Sequence, residues 1–290
     1  LQQEQQKMAW QRQAEQELRA QESHALNQEA AFARLGAAKE AAVAPQLAEA
    51  AAAERLGEVD PLFIRENQGL GWADLIAKWD AKEEQERLLP VLEALRRETD
   101  VPLSVDTQKA AVARHALAGG ADIINDISAL GEPGLAAAVA EAGCPVVLMH
   151  SRGEIRSMQR DVHFDDLLEE VAGELAAAVE RAEAAGISRD RILLDPGIGF
   201  GKNTRQNLLL LRHLDRLRSL GFPLLVGASR KSFIGAATGA PPQSRLGGSL
   251  AAVAWAVHHR AAVVRVHDVE ETVQFLRVWS AIDNAEGGGE

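Results

Sequence analysis

Six short apolar runs, all after residue 100, each end in a polar or charged residue that could bind or activate a substrate. These six endings are Asp106, Asn125, His150, Asp195, Ser229-Arg230-Lys231, and Arg265 with His267. Carboxylates accept hydrogen bonds and an amide both donates and accepts, so Asp106, Asn125 and Asp195 suit a flat heterocycle with mixed donors and acceptors. Cations at two endings, in a chain of formal net charge −11, indicate an anionic group on the ligand, and phosphate or pyrophosphate fits best.

The most specific string is Asp195-Pro-Gly-Ile-Gly-Phe-Gly-Lys202, whose glycines let the backbone turn tightly and approach a ligand closely. A tight turn with Asp195 as a helix cap is the structural alternative. Asp106 could also cap a helix, Asn125 could be a turn residue, and the cations could be solvated surface charge. Six such endings in one chain favour a binding site over six separate structural roles.

The elements that position these residues alternate between strand and helix. Repeated strand-then-helix units predict a parallel sheet, and in a (β/α) barrel the carboxyl ends of the strands share the face that carries the active site. We therefore predict an α/β fold of the TIM-type (β/α)8 class, incomplete or atypical because only six βα units are clear. The strands are predicted near 101–106, 121–125, 145–149, 191–195, 223–228 and 262–266. The helices are predicted near 108–118, 133–142, 163–185, 204–219, 245–259 and 269–283.

The domain organisation follows from a change of composition near residue 80. Residues 1–80 are rich in Gln, Ala and Glu and predict a helical extension, residues 81–284 form the predicted barrel, and residues 285–290 form a disordered tail. A helix is also expected over residues 81–99. An open six-stranded sheet exposes two edges, which N-terminal helices or another subunit could cover.

Composition and spacing exclude several function classes. The acidic balance argues against nucleic acid as the main partner, and no apolar run approaches the roughly 20 residues of a membrane span. One cysteine, Cys144, cannot form an internal disulfide and predicts a cytoplasmic protein. No Cys/His cluster has zinc-ligand spacing, and the Gly-x-Ser-x-Gly elbow is absent. Two roles stay open: Met149 could line the pocket or pack in the core, and His150 could contact the ligand or be structural.

Several ordered strings make the chain resemble dihydropteroate synthase over roughly residues 82–283. The strings are Ser104-Val-Asp-Thr107, Ile124-Asn-Asp126, Leu148-Met-His150, Asp195 to Lys202, Gly227-Ala-Ser-Arg-Lys-Ser232, Arg245-Leu-Gly-Gly-Ser249 and Arg265-Val-His-Asp268. The resemblance implies a (β/α)8 barrel that joins dihydropterin pyrophosphate to p-aminobenzoate with magnesium, releases pyrophosphate, and is inhibited by sulfonamides. It also implies a possible homodimer through helices near the C-terminal end.

The resemblance also implies roles for individual residues. Asp195, Lys231 and Arg265 would be catalytic, and the pterin would be held by Asp106, Asn125, Asp195 and Lys231. Arg265 would stack on or flank the pterin and bind the pyrophosphate together with His267. The remaining substrate contacts would come from Met149, Gly199, Phe200 and Ser229, with Phe200, Lys231 and Ser229 bordering the aminobenzoate.

Two strings that the family carries near its N-terminus, Asn-x-Thr-Pro-Asp-Ser-Phe-Ser-Asp-Gly-Gly and Gly-Glu-Ser-Thr-Arg-Pro-Gly, do not occur in this sequence. The first supplies the family's Asn ligand to magnesium, so no metal-ligating residue is predicted here. Three hypotheses follow: a working synthase, a synthase-derived pterin-binding protein with impaired or no catalysis, and an altered reading frame or fusion at the start of the coding sequence.

Overall fold

A computed structural model describes residues 79–153 and 163–285 of the 290-residue chain. The helical extension predicted for residues 1–80 lies outside the described residues except for its last two, and the predicted tail lies outside them except for Ala285. Both remain predictions.

The described residues alternate between strand and helix in the predicted order. The strands are β1 Ser104–Asp106, β2 Ile123–Asp126, β3 Val146–Met149, β4 Ile192–Asp195, β5 Leu225–Val226 and β6 Val263–Val264. The helices are α1 Ala81–Glu98, α2 Ala110–Ala118, α3 Leu135–Ala142, α4 Leu167–Ala184, α5 Thr204–Arg212, α6 Leu214–Arg218, α7 Ser232–Thr238, α8 Leu246–His258 and α9 Val269–Asp283.

Local capping explains where several helices begin and end. The Asp80 carboxylate accepts the Glu83 backbone N–H at 2.8 Å at the start of α1. Asn203 and Gln206 form a reciprocal capping box at the start of α5, directly after the glycine-rich string. Helix α3 ends at Gly143, whose positive φ of 61° suits a residue without a Cβ.

The sheet is parallel, and its register brings the predicted endings together. Strands β1 to β4 pair in sequence order, with Asp106 opposite Asn125 and Met149 opposite Asp195. Strands β5 and β6 pair with each other, and a parallel bridge between Leu194 and Leu224 joins β4 to the segment that leads into β5. The carboxyl ends of all six strands therefore lie on one side of the sheet.

The sheet curves enough to bring its first and last described strands close together. Arg265, just after β6, forms an ion pair with Asp106 at the end of β1, with Nη1 3.1 Å from Oδ2. The predicted α/β fold with six βα units of barrel type is confirmed, although the described residues do not form a closed barrel.

The apolar core lies on one face of the sheet, where the helices cover it, and Asn125 and Asp195 lie on the opposite face. Ile124, Leu148 and Leu194 of the sheet are fully buried, and α4 contributes Val171 and Leu175 to the same apolar cluster. This packing fixes the positions of the strands and therefore of the side chains that follow them.

Two features of the fold differ from the sequence prediction. The helix predicted over 204–219 is broken at His213, whose φ of −120° and ψ of 37° separate α5 from α6. Helix α7 was not among the predicted helices; its short run, Ser232–Thr238, ends at Gly239 with φ 75°. In the described part of the chain, no helix combines the length and apolar character needed to cross a bilayer.

Candidate active site

Asp195 lies at the centre of the site, at the carboxyl end of β4. Its side chain is buried, and Oδ1 accepts the backbone N–H of Gly197 at 2.7 Å. Burial raises the pKa of Asp195, while the Gly197 N–H and the charges of Arg265, Lys231 and Lys202 act in the opposite direction. A buried carboxylate among cations can accept hydrogen bonds from a ligand and offset positive charge on it.

Asn125 presents a buried amide that lacks hydrogen-bond partners. The residue is 2% exposed, and neither Nδ2 nor Oδ1 has a partner in the described part of the chain. An unsatisfied buried polar group costs about 1–3 kcal/mol, so such a group in a folded protein calls for an explanation. The neighbouring Asp126 shows the contrast, because its carboxylate accepts hydrogen bonds from the N–H and Oγ of Ser128 and from the Leu130 N–H. The Asn125 amide is therefore available to a ligand, whereas Asp126 organises its own loop.

Asp106, opposite Asn125 in the strand register, forms an ion pair with Arg265 from the segment after β6. Their side chains are each 39% exposed, so the ion pair between them faces solvent. Gly227 gives the guanidinium room, because a Cβ there would lie 3.3 Å from Arg265 Nε. A half-exposed guanidinium can exchange part of its contact with Asp106 for an anionic ligand.

Lys231 lies over the ring of Phe200, with Nζ 4.2 Å from the ring centroid. Burial lowers the pKa of Lys231, and Arg265 adds to this effect while Asp195 opposes it. Because Gly199 has no Cβ, the Lys231 side chain can lie close to the loop that carries Phe200. A Cβ at the Gly199 φ of +86° would lie 3.1 Å from Lys231 Cδ. The ammonium and the aromatic face together form one wall of the site.

Ser229 and His267 meet where β5 and β6 end. The Ser229 hydroxyl is buried and lies 3.0 Å from His267 Nδ1. Burial and the neighbouring Arg230 lower the pKa of His267. Arg230 in turn forms an ion pair with Asp268, with Nε 3.1 Å from Oδ2, and this pair ties the loop after β5 to the loop after β6.

Two glycines allow the Asp195–Lys202 string to pack against the segment after β3. A Cβ on Gly197, at φ +65°, would lie 1.8 Å from the His150 carbonyl oxygen, and one on Gly201, at φ +63°, would lie 2.1 Å from the Arg152 oxygen. Neither position can carry a larger residue without backbone movement. The glycines thus serve a backbone-to-backbone contact as well as the expected tight turn.

The structure bears differently on the two open roles. Met149 is fully buried at the end of β3, opposite Asp195. The cavity that it lines with Ser128 and Glu174 includes neither Asn125 nor Asp195, so its contact with the substrate stays a prediction. His150 is structural: it is 2% exposed, its Nδ1 lies 2.8 Å from Lys202 Nζ, and its Nε2 lies 3.0 Å from Glu174 Oε2 without hydrogen-bond geometry. Burial, followed by the charges of Lys202 and Arg152, lowers the pKa of His150 to about 3.

Sequence reasoning missed Lys202 and Asn207, which shape the loop after β4. Lys202 is buried beneath the loop, and Asn207 accepts the Gly199 N–H at 2.7 Å. The available signal for Lys202 was its position at the end of the glycine-rich string. Asn207 follows it by five residues inside an amphipathic helix, where nothing marks its amide as buried.

The described residues bring together every predicted site residue, with donors, acceptors and charges arranged in two groups. Asp106, Asn125 and Asp195 supply the acceptors and the amide, and Lys231, Arg265 and His267 flank them with nitrogen donors. Such a set of groups is suited to a polar heterocycle that carries an anion. Within residues 79–153 and 163–285, no group of three or more His, Cys, Asp or Glu side chains is arranged to hold a metal ion.

Comparison with known proteins supports the same chemistry. A family model described as "Pterin binding enzyme" matches residues 75–267. The dihydropteroate synthase of Synechocystis sp. is 47% identical over 203 residues, which cover 69% of this chain and 70% of that protein. The structure of Yersinia pestis dihydropteroate synthase with a sulfonamide drug matches with a TM-score of 0.69 and 45% identity, over 72% of this chain and 76% of that one. Xanthomonas albilineans dihydropteroate synthase in complex with 7,8-dihydropteroate matches with a TM-score of 0.68 and 46% identity, over 72% and 79% of the two chains.

Proposed function

This chain belongs to the dihydropteroate synthase family of pterin-binding enzymes, and from that premise we propose that it joins 6-hydroxymethyl-7,8-dihydropterin pyrophosphate to p-aminobenzoate. The products are 7,8-dihydropteroate and pyrophosphate. The observation that carries the proposal is the buried amide of Asn125, unpartnered in the described part of the chain and placed among the carboxylates and cations that a pterin pyrophosphate requires.

Substrate binding follows from the hydrogen-bonding inventory of the site. A pterin ring presents N–H donors and ring-nitrogen and carbonyl acceptors along its edges. Asn125 can serve both kinds of group, and the Asp106 and Asp195 carboxylates can accept from N–H groups. We assign the flat wall beside the ring to Met149 and the Arg265 guanidinium.

In the reaction, the aminobenzoate nitrogen attacks the methylene carbon of the pterin. The new C–N bond forms as the C–O bond to pyrophosphate breaks, the leaving group departs with the electron pair, and the attacking nitrogen loses a proton. Asp195 faces the positive charge that develops on the pterin, and Arg265 with His267 faces the negative charge that develops on pyrophosphate. Lys231, whose charge acts on Asp195, adds a further cation near the reacting centre from the aminobenzoate side.

The aminobenzoate is assigned to the side of the site formed by Lys231, Phe200, Gly199 and Ser229. Phe200 offers an aromatic face and Lys231 a cation for the carboxylate. Sulfonamides, which share the shape of aminobenzoate, are expected to compete there; the sulfonamide complex of the Yersinia pestis relative is consistent with this assignment.

Magnesium is proposed to enter with the substrate. The described residues do not provide a set of carboxylates suited to a resident ion, whereas pyrophosphate oxygens are ligands that Mg²⁺ prefers. Calorimetry should therefore detect Mg²⁺ uptake by the protein only when pyrophosphate or the pterin pyrophosphate is also present.

A cytoplasmic location and a homodimer are also proposed. Cys144 is buried and unpaired, which suits a reducing compartment. The exposed apolar side chains Trp255 on α8 and Val273, Val278 and Ile282 on α9 support self-association through this pair of helices. Light scattering on the eluted protein gives the mass that tests the dimer.

The test of function is direct synthesis. Purified protein, dihydropterin pyrophosphate, aminobenzoate and Mg²⁺ should yield dihydropteroate at a rate that Asp195→Ala reduces by at least about 100-fold, the size expected for loss of one transition-state charge contact. A rate indistinguishable from that of the variant would favour the binding-only alternative, which the named relatives do not favour.

A further inference from the structure

Lys202 is a buried lysine that the proposed reaction does not use. The residue is 4% exposed and lies beneath the loop that follows Asp195. Its Nζ lies 2.8 Å from the Phe200 carbonyl oxygen, 3.0 Å from the Gly197 carbonyl oxygen and 2.8 Å from His150 Nδ1. These three partners are two carbonyl oxygens, which only accept, and one imidazole nitrogen; the His150 carbonyl oxygen lies farther away, at 3.4 Å.

This arrangement favours the charged form of the lysine. An ammonium group has three N–H donors and no acceptor, so it satisfies all three partners when His150 Nδ1 carries no proton. A neutral amine has two N–H donors and a lone pair, so it would need the other His150 tautomer, whose Nδ1–H donates to that lone pair. The surrounding carbonyl oxygens and the carboxylates of Asp195 and Glu174 favour the ammonium. The very low pKa of His150 keeps the imidazole neutral, which is consistent with Nδ1 as an acceptor.

The two carbonyl contacts hold the segment from Gly197 to Phe200 by both ends. Gly197 is the residue whose N–H binds Asp195 Oδ1, and Phe200 is the residue whose ring lies under Lys231. Lys202 touches neither side chain but fixes the backbone that carries both. Its position therefore controls the distance between the Phe200 ring and the Lys231 ammonium.

We propose that Lys202 is a positioning residue whose ammonium sets the aminobenzoate side of the site, so that loss of its charge weakens aminobenzoate binding more than pterin binding. The proposal rests on the proposed function for the identity of the second substrate. The selectivity follows from location: Phe200 and Gly199 belong to the held loop, whereas Asn125 and Asp106 lie on strands that Lys202 does not contact.

The same geometry predicts a pH dependence. Burial lowers the pKa of Lys202 to about 7, with opposing and reinforcing contributions from charges on the surrounding elements. Asp195 and Glu174 favour the charged form, and Arg152 and Lys231 disfavour it. The groups that face Lys202 are Asp195 of β4, His150 and Arg152 after β3, Glu174 of α4 and Lys231 before α7. As pH rises through about 7 the ammonium loses its proton, so the KM for aminobenzoate should rise on the alkaline side.

The experiment measures kcat and KM for both substrates between pH 6 and pH 9 in the wild type, Lys202→Met and Lys202→Arg. Methionine keeps the length without the charge, and arginine keeps a charge that does not titrate in this range. In Lys202→Met we expect the KM for aminobenzoate to rise about 10- to 100-fold, the effect of a displacement near 1 Å, with no further dependence on pH. In Lys202→Arg the rise with pH should disappear. Lys82→Met removes an exposed lysine on α1, 84% exposed, and should leave both profiles unchanged.

Two outcomes would overturn the proposal: an aminobenzoate KM that is flat with pH in the wild type, or a Lys202→Met variant in which both KM values change equally. If neither Lys202 variant folds, the wild-type pH profile tests the proposal: the KM for aminobenzoate should rise with pH more than the KM for the pterin pyrophosphate. If the wild type makes no product, the proposed function fails separately. Calorimetry of sulfonamide binding at pH 6.5 and pH 8.5, with pyrophosphate present, then tests Lys202; equal affinity at the two pH values contradicts the proposal.

Discussion

Replacing Asn125 with leucine should stabilise the ligand-free protein and remove its affinity for the pterin. Leucine has the same branching as asparagine, but it carries no polar atom. The substitution removes two buried groups that have no hydrogen-bond partner in the described part of the chain. At about 1–3 kcal/mol for each group, their removal is worth about 2–6 kcal/mol.

Leucine is also larger, and overpacking offsets about 1–3 kcal/mol of this gain. We therefore expect a net increase of about 1–3 kcal/mol in the free energy of unfolding, measured by urea denaturation without ligand. Pterin pyrophosphate affinity should fall by about 30- to 1,000-fold in calorimetry, because two ligand groups then lose their partners at about 2–4 kcal/mol in total.

Asn207 supplies the matched control. It is buried to the same degree, at 1% exposure, but its amide is fully engaged: Oδ1 accepts from Gly199, and Nδ2 donates to the carbonyl oxygens of Lys202 and Asn203. Asn207→Leu should destabilise the protein by about 2–4 kcal/mol, because it leaves buried backbone groups unpaired. If Asn125→Leu destabilises the protein as much as Asn207→Leu and retains pterin affinity, the assignment of Asn125 to the ligand is refuted.

Three further predictions concern the loop after β4, the buried histidine and the cation at the end of β6. Gly197→Ala should lower the free energy of unfolding by at least about 2 kcal/mol more than Gly186→Ala in urea denaturation, because both positions have positive φ but only a Cβ at residue 197 meets a backbone oxygen, at 1.8 Å. The pKa of His150 is about 3 in the folded protein against 6.5 when unfolded, so the unfolded state binds the extra proton as pH falls from 6.5 to 3. Stability should therefore decline over that window by up to about 5 kcal/mol, and His150→Gln should flatten the slope in acid titrations followed by circular dichroism. Arg265→Lys should raise the KM for pterin pyrophosphate by about 10-fold or more with little effect on stability, because lysine cannot present the planar fork that now contacts Asp106; an unchanged KM would argue against pyrophosphate binding at this residue.

The strand endings were predictable because they depend on local patterns. A short apolar run followed by a polar residue and a helical stretch marks the end of a parallel strand, and β1 to β4 end within one residue of the predicted positions. Capping residues such as Asn203 also mark their helix directly in the sequence. These local signals were sufficient for the fold class and for the side of the sheet that carries the site.

The contacts that complete the site were not predictable, because they join residues far apart in the chain. Asp106 and Arg265 are 159 positions apart, and no spacing rule relates them. The structural role of His150 depends on Lys202, 52 positions away, and on burial that neither residue's type would suggest. The Asp106–Arg265 pair forms because the sheet curves, and the His150–Lys202 pair forms because two neighbouring loops pack together. Sequence reasoning therefore placed the strand endings on the same face without assigning their partners.

The most direct test of the central claim is the fate of labelled aminobenzoate. Purified protein is incubated with ring-¹³C aminobenzoate, dihydropterin pyrophosphate and Mg²⁺, and the products are followed by mass spectrometry and a pyrophosphate assay. The account predicts labelled dihydropteroate and pyrophosphate in equal amounts, with neither formed above background by Asp195→Ala. Pyrophosphate release without labelled dihydropteroate, or no product from a folded protein that binds both substrates, would contradict the claim that these six strand endings form a synthase site.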